Sequence, residues 1–267
     1  MDRTIVVDSL KTRYVDEGSG PVVLLLHGAS LGSCVDVYEK NIPALVRAGF
    51  RVVGYDSPGY GLTDNPSDFS DAYRTEFVLR FMDALHIDNA HIVAHSAIGR
   101  MPARIALTNP KRLDRVVVIA ATPLLPPMAG VDERGESEAG PPTSESTRKR
   151  LEGDLHNHHL ITQTMVARRL KMSVGNKFEA TQERAKASRV SQGPKEAVPL
   201  WQSFARAPVQ KLYLNGINDR KGTVAKRSAL LAEAVPGVNI RLIDNCGHLV
   251  MIDAREEFDR SVIEFLK

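Results

Sequence analysis

The chain has 267 residues, of which 43% are apolar and 25% charged, a globular composition with room for one large α/β core or two small domains. Its formal net charge of +3 is scattered, without the dense Lys/Arg run that would argue for nucleic acid. The longest apolar runs, such as Val22 to Leu26, fall far short of the ~20 residues of a spanning helix, so no membrane partner is expected.

The amino terminus carries no basic stretch followed by an apolar one, so no secretory signal is expected. Cys34 and Cys246 lie far apart and read as reduced thiols of a soluble, cytoplasmic protein. "IVVDSLKTRYVDEG" predicts a hairpin. "PVVLLLHG" (Pro21 to Gly28) is continuously apolar and closed by Gly, as in a strand buried on both faces. "FRVVGYDSPGYG", "AHIVAHS" and "LDRVVVIAATPL" repeat that theme, with amphipathic stretches at Tyr38 to Ala48 and Ala72 to Leu85. Apolar strands alternating with helices imply right-handed crossovers and a parallel sheet.

The alternation then breaks. Pro123 to Arg150 is rich in Pro, Gly, Ser and Glu and reads as a long loop; helical segments follow from Leu151 to about Trp201. Strands resume at Val209 to Gly216 and in "VNIRLIDNCGHL" (Val238 to Leu249), before a last helix from Ala254 to Leu266. The expected organisation is a core of residues 1–122 and 208–267. The segment 123–207 is expected to form a helical lid, led by its Pro/Gly/Ser-rich loop, over the carboxyl edge where such sheets bind ligands.

Three residues stand just past strands in the order Ser, Asp, His: Ser96, Asp219 in "NGINDR" and His248 in "DNCGHLV". A Ser hydroxyl needs an imidazole to take its proton and a carboxylate to orient that imidazole. Each alone has an ordinary reading, as a cap, a turn former or a structural His. Their order and shared position at strand ends favour a triad. The backbone N–H groups of Ala29, after "LLLHG", and of Ala97 are the expected oxyanion donors. The turn is irregular: Ile98 stands where G-x-S-x-G has its second small residue, and Pro102 cannot donate a helix bond to the Ile98 carbonyl. The expectation is a working nucleophile on a modified turn, eased by Gly99, with a distorted helix start over Ile98 to Pro102.

"LLLHG", "YDSPGYGLTD", "VAHSAIG", "LNGINDR" and "NCGHLVMIDAREEFDRSVIEFL" resemble the corresponding blocks of the α/β-hydrolase superfamily, on both sides of the insertion. Within it, the chain is most similar to the meta-cleavage product hydrolases, serine-dependent enzymes that cut a carbon–carbon bond in dienol diketo acids. "LITQTMVARRL" resembles the lid stretch in which that family places a substrate-binding Arg, here Arg169. Winding the helix from Thr162 at ~100° per residue puts Arg169 amid Met165, Val166, Leu170 and Met172, with Arg168 and Lys171 elsewhere. There it either snorkels or grips a carboxylate.

The resemblance also places Ser30, His95 and Leu249 against the substrate, and each departs from the usual pattern. Ala29-Ser30-Leu31-Gly32 replaces a glycine-rich loop, His95 stands where Asn is common, and Leu170 and Leu249 replace aromatic residues. A carboxylesterase or lactonase is therefore the alternative; a cofactor-free dioxygenase and a non-catalytic ligand-binding homologue stay open. Ser96 in place of Asp excludes the dehalogenase and epoxide hydrolase chemistries of this fold. "HNHH" at 156–159 reads as solvated histidines. No metal or cofactor is expected, the partner is a small-molecule substrate, and a homodimer stays open as the assembly.

Overall fold

The hairpin forms from β1 (Arg3–Val7) and β2 (Leu10–Glu17), with both turn residues, Asp8 and Ser9, at positive φ as a two-residue connection requires. The structure is a computed structural model that describes residues 2–130, 140–190 and 197–267. The remaining strands are β3 (Val22–Leu26), β4 (Arg51–Tyr55), β5 (Ala90–His95), β6 (Leu113–Ile119), β7 (Gln210–Gly216) and β8 (Ile240–Ile243). They form one eight-stranded sheet in the order β1-β2-β4-β3-β5-β6-β7-β8, antiparallel at its first two pairings and parallel from β4 onward.

The helices are α1 (Ile42–Arg47), α2 (Asp71–Ala84), α3 (Arg100–Thr108), α4 (Ser144–Asp154), α5 (Gln163–Lys171), α6 (Asn176–Val190), α7 (Leu200–Arg206), α8 (Thr223–Ala234), α9 (Val250–Asp253) and α10 (Arg255–Leu266). The period of two along each strand explains the continuous apolar runs. Leu24, Leu26, Ile92 and Ala94 pack with Phe77, Phe81 and Met82 of α2 on one face of the sheet. Val23, Leu25 and Val93 pack with Tyr38, Leu45 and Phe258 on the other. No helix among the described residues is long and apolar enough to cross a membrane.

Two boundaries differ from those expected of the sequence. Helix α4 starts at Ser144, inside the stretch read as loop, because Thr143 caps it: the Thr143 side chain accepts from the Ser146 N–H, and the Ser146 hydroxyl from the Thr143 N–H. Residues 131–139 of that loop, and 191–196 of the expected helical stretch, lie outside the described residues. The segment 123–207 also divides. Helices α4 to α6 contact loops that follow β3, β4 and β8, at the carboxyl edge. Helix α7 instead inserts Phe204 into the core against Tyr213, so it belongs with the sheet.

Candidate active site

Strand β5 ends at His95, and Ser96 takes φ +58°, the left-handed conformation that a branchless turn residue tolerates and that lifts a side chain clear of the sheet. Residues Ser96–Gly99 form one tight turn before α3 begins at Arg100. Ile98 fits because its side chain enters the core, 3% exposed. The close approach falls on Gly99, where an added Cβ would lie 2.9 Å from the Ala121 Cβ. Pro102 costs no helix bond, since it sits in the first turn of α3, where N–H groups have no intrahelical partner.

Asp219 and His248 reach Ser96 because two loops are tied together. The Ile217 N–H donates to the Ile243 carbonyl, the Asn218 N–H to the Cys246 carbonyl, and the Cys246 N–H to the Asn218 side chain. Gly216 lets them approach: a Cβ there would collide with the carbonyls of Cys246 and Gly247. Gly216→Ala is expected to cost about 1–3 kcal/mol of stability and to lower kcat as His248 shifts, measured by denaturant unfolding and initial rates.

The result is a connected line. Asp219 Oδ2 lies 2.9 Å from His248 Nδ1, and His248 Nε2 lies 3.0 Å from Ser96 Oγ. All three are buried, yet Ser96 keeps 9% exposure. Burial pushes the His248 imidazole toward the neutral form, but the charge and hydrogen bond of Asp219 outweigh it and leave its pKa above the ordinary value. A base must be neutral to accept a proton, so activity should be lost as pH falls through this raised pKa. Asp219→Asn removes the main upward pull. The acid limb of kcat/KM should then move to lower pH while the rate falls by roughly 10³–10⁴-fold, as a pH–rate profile will register.

The loop after β3 is held by the side chains of His27 and Tyr60. His27, which burial pushes below its ordinary pKa, donates from Nδ1 to the Gly28 carbonyl at 2.7 Å and accepts the Ser57 N–H at Nε2, 2.9 Å away. The Tyr60 hydroxyl donates to the Ala29 carbonyl at 2.9 Å. Fixing the Gly28 carbonyl also fixes the Ala29 N–H, which belongs to the same trans peptide and points the opposite way. Gly28 itself abuts the nucleophile: a Cβ there would lie 2.5 Å from His95 Nδ1 and 3.4 Å from Ser96 Cβ. Burial, and then the neighbouring His248, push His95 well below its ordinary pKa. It is therefore neutral and donates from Nε2 to the His248 carbonyl at 3.0 Å.

A cavity of about 710 Å³ opens beside these residues, with Gly28, His95, Leu249, Met165 and Arg169 among its walls. Helix α5 presents Arg169 there because Gly32, at φ +76°, admits it; a Cβ at Gly32 would lie 2.5 Å from the Arg169 carbonyl and 2.8 Å from its Cγ. Val166 and Met172 are buried and Lys171 is exposed, as the helical winding predicts, but Arg168, expected to face elsewhere, lines the cavity beside Arg169, and Leu170 is not among its walls. The Arg169 guanidinium is loosely paired with Asp154, 3.6 Å away, and its Nε and Nη2 have no hydrogen-bond partner among the described residues. Ser30 lies in the turn that carries Gly32, where its carbonyl accepts the Ser33 N–H.

Sequence reasoning missed two residues. The Asp253 carboxylate accepts the N–H groups of Gly247, His156 and Asn157, at 2.6, 2.7 and 2.9 Å, tying the end of α4 to the His248 loop. The Asp154 carbonyl accepts the His248 N–H at 2.7 Å and the Leu249 N–H at 3.2 Å. The only sequence signal for either was an acidic residue at a helix end.

A family model described as the alpha/beta hydrolase fold matches residues 21–254. A 2-hydroxy-6-oxononadienedioate/2-hydroxy-6-oxononatrienedioate hydrolase of Burkholderia vietnamiensis is 25% identical over 97% of this chain and 91% of its own. A 2-hydroxy-6-oxo-6-phenylhexa-2,4-dienoate hydrolase of Comamonas testosteroni is 26% identical over 95% of this chain and 90% of its own. The solved structure of a meta-cleavage product hydrolase from Pseudomonas fluorescens superposes with a TM-score of 0.79 at 26% identity, covering 99% of this chain and 97% of that one. With its parallel sheet, strained Ser96 turn and Ser–His–Asp line already in place, the chain belongs to the alpha/beta hydrolase fold family.

Proposed function

We propose that this protein is a serine-type hydrolase that cleaves the carbon–carbon bond next to a ketone in a dienol diketo acid. The observation that carries this reading is Arg169: two buried donors on one edge of its guanidinium, without a hydrogen-bond partner among the described residues, on a cavity wall shared with His95 beside the nucleophile. That edge is the fork which grips a carboxylate through two parallel hydrogen bonds. The names of relatives matched along nearly the whole chain support the same substrate class.

In this mechanism Asp219 holds the His248 tautomer that carries its proton on Nδ1, leaving Nε2 to take the proton of Ser96 Oγ or of a water. The hydroxyl oxygen attacks the ketone carbonyl, whose oxygen becomes an anion. The N–H groups of Ala29 and Ala97 are assigned to that oxyanion, each worth up to ~3–4 kcal/mol in comparable sites. His248 also serves the enol-to-keto step, which makes the departing carbon a stabilised carbanion. Helices α4 to α6 act as the lid that covers the site.

The replacement of an aromatic residue by Leu249, a wall of the cavity, favours a second reading, in which the site serves a small ester or lactone. Steady-state rates on a dienol diketo acid, a short ester and a lactone decide between the two. Turnover of the diketo acid with the highest kcat/KM is expected, and hydrolysis of esters alone would overturn the carbon–carbon reading.

A further inference from the structure

Helix α6 buries a cation that no carboxylate meets. Arg184 is 8% exposed, and among the described residues its guanidinium donates only to the Gly59 carbonyl, at 3.0 Å, and to the Thr181 hydroxyl. Taking a charge out of water is costly, and burial pushes Arg184 below its ordinary pKa. The compensation is the ring of Tyr60. The guanidinium carbon stands 3.8 Å from its centroid, well within the range at which an aromatic face attracts a cation. Gly59, at φ +82°, permits the approach, since a Cβ there would lie 2.9 Å from Arg184 Nη1. Two further ties seat the start of α6 on the same loop. The Asn65 side chain donates to the Asn176 carbonyl at 2.9 Å, and Lys177 Nζ donates to the Thr63 carbonyl and the Asn65 side-chain oxygen.

Tyr60 carries this contact to the loop after β3. Its hydroxyl donates to the Ala29 carbonyl, and its ring packs crosswise against His27, with centroids 5.2 Å apart at 70°. His27 in turn holds the Gly28 carbonyl, so the peptide planes on both sides of Ala29 are fixed, one by each side chain. The Ala29 N–H lies in the first of those planes. With Arg184 on its face and His27 crosswise beside it, the Tyr60 ring is held in one orientation. A cation over the ring also draws charge from the phenol oxygen and makes its O–H a stronger donor. Arg184 and Tyr60 stand behind Ala29 rather than on the cavity's walls, so substrate affinity should not depend on them.

We propose that Arg184 is a positioning residue for the reaction, which by stacking on Tyr60 aims the Ala29 N–H at the oxyanion. This inference rests on the assignment of that N–H to the oxyanion under the proposed function. It goes beyond it by making part of the oxyanion site depend on a residue of α6.

The test measures kcat and KM on a dienol diketo acid and a chromogenic short ester, and binding of phenylboronic acid. The boron takes up Ser96 Oγ and sets a charged tetrahedral centre where the oxyanion forms. Arg184→Met and Tyr60→Phe should each lower kcat by about 10- to 100-fold, short of the loss of a whole oxyanion donor. KM should stay within about twofold, and the boronic acid should weaken by the same factor as kcat. Arg184→Gln keeps a donor for Gly59 without the cation and should fall likewise, which covers the case of an Arg184→Met protein that does not fold. Arg184→Lys restores a cation over the ring and should recover most of the rate. Combining Arg184→Met or Arg184→Gln with Tyr60→Phe should be no worse than Tyr60→Phe alone, because Arg184 acts through that hydroxyl. A merely structural Arg184 would give multiplied losses instead. Unchanged kcat in Tyr60→Phe or Arg184→Gln, a loss confined to KM, multiplied losses, or a parent that does not bind the boronic acid overturns the inference. Turnover of the diketo acid that these variants leave intact defeats the role of Arg184 alone. The expected pattern on the ester without such turnover defeats the carbon–carbon reading and leaves the role of Arg184 standing.

Discussion

Ser96→Ala and His248→Ala are each expected to lower kcat by about 10⁴–10⁶-fold while leaving the unfolding midpoint within a degree or two of the parent. The size of the loss follows from the connected line of Asp219, His248 and Ser96: removing either end of the Nε2–Oγ contact removes the proton transfer itself. The double variant should lose little more than either single one, because groups acting as a unit are not additive. The fold should survive, since both side chains stand on loops at the sheet's edge and contribute little to either core layer. Ser96→Ala relieves no crowding at Gly28, where the nearest Ser96 atom is the Cβ that Ala retains. Circular dichroism and single-turnover kinetics on both variants check the expectation. A folded Ser96→Ala protein of full activity would remove the nucleophile assignment.

Much of this site was legible in the sequence because its parts sit where backbone chemistry is restrictive. A strand buried on both faces must be apolar throughout, so β3 and β5 announced themselves, and with them the positions just past their ends. Ile98 looked like a violation, but the rule concerns space rather than letters. The crowded point had moved one residue, to Gly99, and Pro102 fell in a turn that needs no donor. Arg169 followed from helical winding because α5 has a clear cap at Thr162, whose side chain accepts the Met165 N–H.

What escaped were features set by tertiary contact. Asp253 and Asp154 act through main-chain groups of a loop about a hundred residues away or of the next segment, and no local pattern marks such partners. The start of α4 escaped for a different reason. Its stability comes from the Thr143 cap and two buried residues, Thr147 and Leu151, a face too narrow to show as periodicity.

Arg169→Ala is expected to depress kcat/KM for acidic substrates by about 2–4 kcal/mol, roughly 30- to 1,000-fold, because a charge-assisted bidentate contact in a shielded site is lost. Uncharged esters should be spared, since nothing in them uses the fork. Arg169→Lys should recover little: an ammonium brings the charge but not the paired donors of the Nε and Nη2 edge. The variant should stay folded, because among the described residues the Arg169 side chain is tied only to Asp154, at a separation of 3.6 Å that holds no hydrogen bond. Its removal does leave the Asp154 charge uncompensated beside the cavity, which should further repel anions and widen the gap between acid and ester. Steady-state kinetics on one dienol diketo acid and one short ester measure that gap. Parallel losses on both substrates would mean that Arg169 serves packing instead, and the cavity would then belong to an esterase.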